Sequence, residues 1–278
     1  MAAGSSPVIP TIFQPMRKIF ITNDDGINAP GLSALEHAVS KRALSFFTSA
    51  PLNEQSGCGH AITLLRPLRV KKFAENRFSV DGTPTDSVFL GLHELFKDEK
   101  PLFALSGINR GGNLGNDFTY SGTVGAAMET YSNGITSFAL SLFVTDFAAL
   151  KEESFTYVAE LFFDKILPEI EKKTGTDALY ETPHFFNINV PDTIIGRQNP
   201  EIRWTFLGER RYGGGVIKRV DPRRNDYYWI GGDQHSFLDI EGSDCNAVKS
   251  GFVSVTPIAV SFTDRQLLEK IEDNHGKQ

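Results

Sequence analysis

A three-layer α/β fold with a mainly parallel sheet follows from three features of the 278-residue sequence. Short apolar runs rich in β-branched and aromatic residues alternate with stretches of helical periodicity. Loops rich in Gly, Asn, Asp or Ser follow these runs, and no run approaches the length needed to span a bilayer. Repeated alternation of this kind buries a sheet between two helical layers.

Apolar residues make up 40% of the chain and charged residues 22%, which suits one hydrophobic core with an appendage. A formal charge of -6 argues against a nucleic-acid backbone as partner. Cys58 and Cys245 lie far apart without a CxxC or Cys/His spacing. That excludes a disulfide scaffold and a zinc knuckle and fits a reducing compartment, so a cytoplasmic protein is expected. Residues 1–16 are Ala/Ser/Pro-rich and read as a loose extension, not a signal peptide.

Residues 18–22 (KIFIT) are the first predicted strand and run directly into Asn23-Asp24-Asp25-Gly26. Leu32, Leu35 and Val39 share a helical face over residues 32–42. Residues 44–50 (LSFFTSA) are a second strand, closed by Pro51, which completes a βαβ unit with parallel pairing. Residues 62–80 are predicted as an extended hairpin with Pro67 at an edge or bulge. Gly82-Thr83-Pro84 reads as a tight turn. Thr85 or Asp86 then caps a helix whose face is Val88, Leu92, Leu95 and Phe96.

Residues 101–106 (PLFALS) form a third strand ending at Gly107. Residues 122–133 are a small-residue helix stopped by Gly134, and residues 136–142 a fourth strand. Phe155, Val158, Phe162 and Ile166 mark a longer helix that Pro168 interrupts. Residues 184–190 (HFFNINV) are a fifth strand. From 200 to 263, alternating aromatic and polar residues with many glycines read as hairpins forming a β-rich C-terminal arm. Residues 17–278 are therefore expected to be a single domain that includes this arm.

Open parallel sheets bind ligands beyond the carboxyl ends of their strands. Three such loops are rich in small residues and oxygen donors: Asn23-Asp24-Asp25, residues 53–59 (NEQSGCG) and residues 106–115 (SGINRGGNLG). Adjacent aspartates repel unless a cation or hydrogen bonds stabilise both. Asp24, Asp25, Ser56 and Asn109 offer a hard oxygen set that suits Mg²⁺ or Mn²⁺ better than zinc. Taken singly, each has a plainer reading as a solvated turn or loop residue.

Tyr120-Ser121-Gly122-Thr123 precedes the small-residue helix, where main-chain N–H groups and hydroxyls can bind phosphate. Ser121 or Thr123 also reads simply as an N-cap. Asn113 could donate its amide to a phosphate oxygen or hold a glycine-rich turn together. His60, beside the second loop, reads as a surface or packing residue. The absence of GxSxG, of GxxxxGK[ST], and of GxGxxG after the first strand removes support for a serine hydrolase, a P-loop enzyme and a dinucleotide-dependent dehydrogenase.

In order, ITNDDGINAPG, AP followed by EQSG, VDGTPTDSV, SGINRGGNLG and YSGTVGAAME closely resemble the SurE (survival protein E) family of 5′/3′-nucleotidases. FFNINVP, DPRRNDYYWIGG and GFVSVTPI resemble its later blocks, so the likeness runs over residues 18–263. The resemblance implies a Rossmann-like core and a C-terminal hairpin exchanged between subunits of a homodimer or homotetramer. It implies one divalent metal ion per subunit, Mg²⁺ or Mn²⁺, held by Asp24, Asp25, Ser56 and Asn109. Asn113, Ser121, Gly122 and Thr123 would surround the substrate phosphate.

The implied reaction is hydrolysis of nucleoside 5′- and 3′-monophosphates, with some activity on short polyphosphate. Asp24 and Asp25 would orient the attacking water or accept its proton, and Asn113 would stabilise the phosphoryl oxygens. The competing readings are a broad-specificity phosphatase or exopolyphosphatase and a non-catalytic nucleotide binder. Departures from the family pattern at Thr85, Ser87 and Thr130, and in PLFALSGIN, fall on packed strand and helix positions.

Overall fold

The computed structural model describes residues 17–148, 150–210, 216–230, 237–261, 263–265, 267–269 and 271. The extension expected over residues 1–16 lies outside them. Strands β1 (Ile19–Thr22), β2 (Phe46–Pro51), β3 (Val70–Ala74), β4 (Arg77–Val80), β5 (Ala104–Arg110), β6 (Ser137–Phe143), β7 (Phe185–Pro191) and β8 (Ile202–Trp204) all join the main sheet. After the separate strands β9 (Val216–Val220) and β10 (Asp226–Ile230), β11 (Val253–Ile258) returns to it. The order is β3-β4-β2-β1-β5-β6-β7-β11-β8, parallel except at the β3–β4 and β7–β11 pairs.

The helices are α1 (Pro30–Lys41), α2 (Pro84–Leu90), α3 (Gly122–Ser132), α4 (Glu152–Leu161), α5 (Leu167–Thr174), α6 (Thr176–Glu181) and α7 (Asp244–Lys249). Helices α1 and α4 pack together, placing Leu32, Leu35, Val39, Phe155, Val158 and Phe162 in one core with Ile21 and Leu105 of the sheet. Helices α2 and α3 form the other layer, where Val88 and Ala126 meet Phe20, Phe47 and Ala104. The predicted three-layer α/β class is the observed one. Among the described residues, no helix is long and apolar enough to cross a membrane.

Several local expectations are corrected. Strand β5 does not stop at Gly107. It passes through a register irregularity between Ser106 and Asn109 and resumes pairing, with Asn109 opposite Ser141 of β6. A glycine inside a strand marked a bulge there and not an end. Asn109 therefore sits on a strand.

The cap of α2 is Thr83, not Thr85 or Asp86. Thr83 Oγ1 accepts the Asp86 N–H at 3.0 Å while Asp86 Oδ2 accepts the Thr83 N–H at 2.8 Å, a reciprocal capping box ahead of Pro84. The predicted hairpin arm over residues 62–69 is irregular, leaving only β3 and β4. Pro168 does not interrupt its helix, because it occupies the first turn of α5, entered without a break through a π-helical turn over Phe162–Ile166.

The arm is smaller than the sequence suggests. Residues 202–204 and 253–258 belong to the main sheet, and among the described residues only β9 and β10 stand apart, as an antiparallel hairpin with Asp226 opposite Val220. Residues 211–215 and 231–236, which flank this hairpin, lie outside the described residues.

One close approach locks α1 to the sheet. A Cβ on Gly31 would lie 2.1 Å from the Ile108 carbonyl oxygen. Gly31→Ala is expected to cost about 2–4 kcal/mol of unfolding free energy, because backbone on both sides has to move. Urea denaturation of the variant checks this, and a midpoint equal to wild type would refute the contact.

Candidate active site

Parallel register places the carboxyl ends of β1, β2 and β5 side by side, with Thr22 opposite Ser106 and Ile21 opposite Thr48. The loops that follow therefore converge. Gln55, after β2, donates its N–H to the Asp24 carbonyl at 2.8 Å. Arg110, at the end of β5, donates its N–H to Asp25 Oδ2 at 3.2 Å. The start of α3 closes the site from above: Gly59 donates its N–H to the Tyr120 carbonyl at 2.9 Å.

Asp24 is only 3% exposed. The Thr123 hydroxyl donates to its Oδ1, and the nearby main-chain N–H groups of Asp24 and Thr123 favour its charged form. Gly122 lies directly against it, so that a Cβ there would fall 2.8 Å from Asp24 Cβ. Burial nevertheless outweighs these hydrogen bonds and raises the Asp24 pKa. Asp25 is pushed up to about 7, first by burial and then by the charge of Asp24, against the opposing effect of Arg110.

The remaining predicted residues occupy distinct positions. Ser56 is exposed on the β2 loop and donates to Glu54 Oε1 at 2.9 Å. Asn109 uses its Nδ2 on the Gly111 carbonyl at 2.8 Å, which leaves its Oδ1 to offer. Ser121 caps α3, its Oγ accepting the Val124 N–H at 3.1 Å. The Thr123 hydroxyl, expected near phosphate, is engaged by Asp24. Asn113 is bound elsewhere: its hydrogen bonds run to Ser141 on β6 and to Asn187 and Asn189 on β7. The same loop is held from the C-terminal side, where Asp244 accepts the Gly115 N–H at 2.8 Å and the Gly208 N–H at 2.7 Å.

Sequence reasoning passed over Glu54, Cys58 and Arg110. Glu54 adds negative charge that raises both aspartates. A Cβ on Gly122 would lie 3.0 Å from Cys58 Sγ, and burial raises that thiol to about 11. The Arg110 guanidinium lies 5.4 Å from the Phe147 ring centroid. A lone arginine within a glycine-rich strand-end loop was the available signal. His60 bonds Glu129 at 2.8 Å on the flank of α3.

Two desolvated aspartates with one arginine nearby are poorly compensated, and a hard divalent cation fits such an oxygen set. Among the described residues no three His, Cys, Asp or Glu side chains gather as a metal-binding group. Further ligands would have to be neutral oxygens, which is what Ser56 and Asn109 carry.

A carboxylate pair at a parallel strand end, with Asp24 buried against a helix N-terminus across a glycine, defines an α/β protein whose site suits a cation and an oxyanion together. The family model described as survival protein SurE matches residues 19–214. The chain belongs to the SurE family. It is 47% identical over 247 residues to the 5′-nucleotidase SurE of Geotalea daltonii, covering 89% of this chain and 94% of that one. The 5′-nucleotidase SurE of Geotalea uraniireducens is 44% identical, with 92% and 98% covered. The crystal structure of the SurE protein from Aquifex aeolicus superposes with a TM-score of 0.74 at 35% identity, covering 93% of this chain and 99% of that chain.

The raised pKa values of the carboxylate pair predict a pH-dependent stability for the metal-free protein. Because the folded-state pKa values are raised, the folded protein binds these protons more tightly than the unfolded chain. Their penalty is absent at low pH and grows as pH rises through the unfolded value toward about 7. In EDTA, Asp25→Asn should match wild type near pH 4 and exceed it by about 2–4 kcal/mol above pH 7. Thermal unfolding of both proteins across this range measures it. A difference that stays constant with pH would refute it.

Proposed function

We propose that this chain is a divalent-metal-dependent 5′-nucleotidase that hydrolyses nucleoside monophosphates, the 3′-isomers included, to nucleoside and phosphate. The carrying observation is the Asp24–Asp25 pair at the end of β1, with Asp24 buried and bonded to Thr123 at the start of α3. The relatives named 5′-nucleotidase SurE support the substrate class. Short polyphosphate, with the same terminal group, is a secondary substrate.

Asp24, Asp25, Ser56 and Asn109 would hold one Mg²⁺ or Mn²⁺. When bound, the ion would neutralise phosphoryl charge and acidify the attacking water. Thr123 fixes the Asp24 carboxylate, which suits it to orienting that water. Asp25 is less buried and is the carboxylate able to take the water's proton. The Gly122 N–H, the Ser121 hydroxyl and the Asn113 amide would donate to the phosphoryl oxygens as charge builds on them. Exposed Tyr120 beside this cradle is available to stack on a base.

Phosphate release from a panel of nucleoside 5′- and 3′-monophosphates tests this reading. Release should require Mg²⁺ or Mn²⁺ and stop in EDTA. Asp24→Asn should remain folded and lose at least about a thousandfold in kcat. Near-normal turnover by a folded Asp24→Asn protein would overturn the assignment.

The β9–β10 hairpin exposes Val216, Ile217, Tyr228, Trp229 and Ile230, and a lone two-stranded hairpin is marginal in water. Such a surface needs a cover. We read it as the subunit contact of a homodimer or homotetramer. Cys58 and Cys245 are both free, in keeping with a cytoplasmic setting. Light scattering should give two or four times 30.7 kDa, and Trp229→Asp with Ile230→Asp should reduce that mass. A wild-type monomer would count against the contact.

A further inference from the structure

Strands β6 and β7 carry side chains that no step of the proposed reaction uses. Ser141, Asn187 and Asn189 are fully buried in otherwise apolar runs, and such groups are unfavourable unless each finds a partner. Asn187 and Asn189, two residues apart, share one side of β7. Both residues, and Ser141, turn to Asn113.

The set of bonds is specific. Asn189 Oδ1 accepts the Asn113 N–H at 2.8 Å, and its Nδ2 donates to the Asn113 carbonyl at 3.1 Å. Asn187 Nδ2 donates to that carbonyl at 2.7 Å. These bonds clamp the main chain, which is all that a purely structural loop would require. Ser141 does something different: its Oγ accepts from Asn113 Nδ2 at 2.8 Å, fixing the rotation of the side-chain amide. Asn113 itself is 7% exposed.

We propose that Ser141, backed by Asn187 and Asn189, is a positioning residue for phosphate binding. It holds one amide hydrogen of Asn113 so that the other faces a phosphoryl oxygen of the substrate. This deepens the phosphatase reading of the same site and rests on it. The pre-set amide removes the need to order a flexible side chain when the substrate arrives.

The test is a double-mutant cycle on Ser141→Ala and Asn113→Ala, with two measurements. One is the Kd of inorganic phosphate in the presence of Mn²⁺, by calorimetry; the other is turnover of a nucleoside 5′-monophosphate. Each single change should weaken phosphate binding about tenfold, and the double variant should be no worse than Asn113→Ala alone. Mn²⁺ affinity without phosphate should stay at the wild-type value. Ser141→Cys, which leaves no cavity but is a poorer acceptor, should fall between serine and alanine and so guards against a cavity defect.

Wild-type phosphate binding by Ser141→Ala would overturn the inference, as would a loss that adds in full to Asn113→Ala. Failure of the phosphatase reading looks different. There, wild type turns over nothing or Asn113→Ala behaves like wild type, and the inference falls with it.

Discussion

Adjacent carboxylates held out of water at the end of a parallel strand repel each other and resist desolvation together, and the surrounding architecture answers both effects. Asp24 receives the hydroxyl of Thr123 from the first turn of α3. That helix can come so close only because residue 122 has no side chain. Strand β5 sends the Arg110 N–H to Asp25, and the loop after β2 is tied back through Gln55. The adjacency of β2, β1 and β5 is what makes these contacts possible at once. Even so, burial still dominates both pKa shifts, so the pair is left short of positive charge.

The two halves of the candidate site are built differently. Around Asp24 the partners come from loops and a helix terminus, elements whose groups can also turn to a ligand. Around Asn113 they come from the middle of the sheet, where Ser141, Asn187 and Asn189 hold it from inside the protein. One side therefore carries uncompensated charge, while the other is neutral and rigid. A phosphate monoester needs both a means of offsetting charge and donors at fixed positions.

Much of this was legible in the sequence. Strands β1, β2, β6 and β7 are apolar and sharply bounded, and α1 and α4 show clean periodicity, so their types followed from local pattern. Asp24 and Asp25 stood out because the end of a parallel strand is where ligands bind. The errors share a cause: local signals do not report tertiary partners. Gly107 reads as a stop until β6 is there to continue the pairing. The strand at residues 253–258 reads the same in an arm or in the core, and pairing with β7 decides it. The clamp on Asn113 was hidden because Ser141 and Asn189 lie 28 and 76 residues away.

Asp244 binds the N–H of Gly115, in the loop that carries Asn113, together with that of Gly208. Strand β11, which follows it, inserts between β7 and β8. During synthesis the chain emerges from its N-terminus, so Asp24, Asn113 and Thr123 leave the ribosome long before the residues that pin their surroundings. This candidate loop is thus fastened by a residue that appears 129 positions after Gly115. A prematurely terminated polypeptide would carry the full set of candidate active-site side chains without the fastening that holds Gly115 in place.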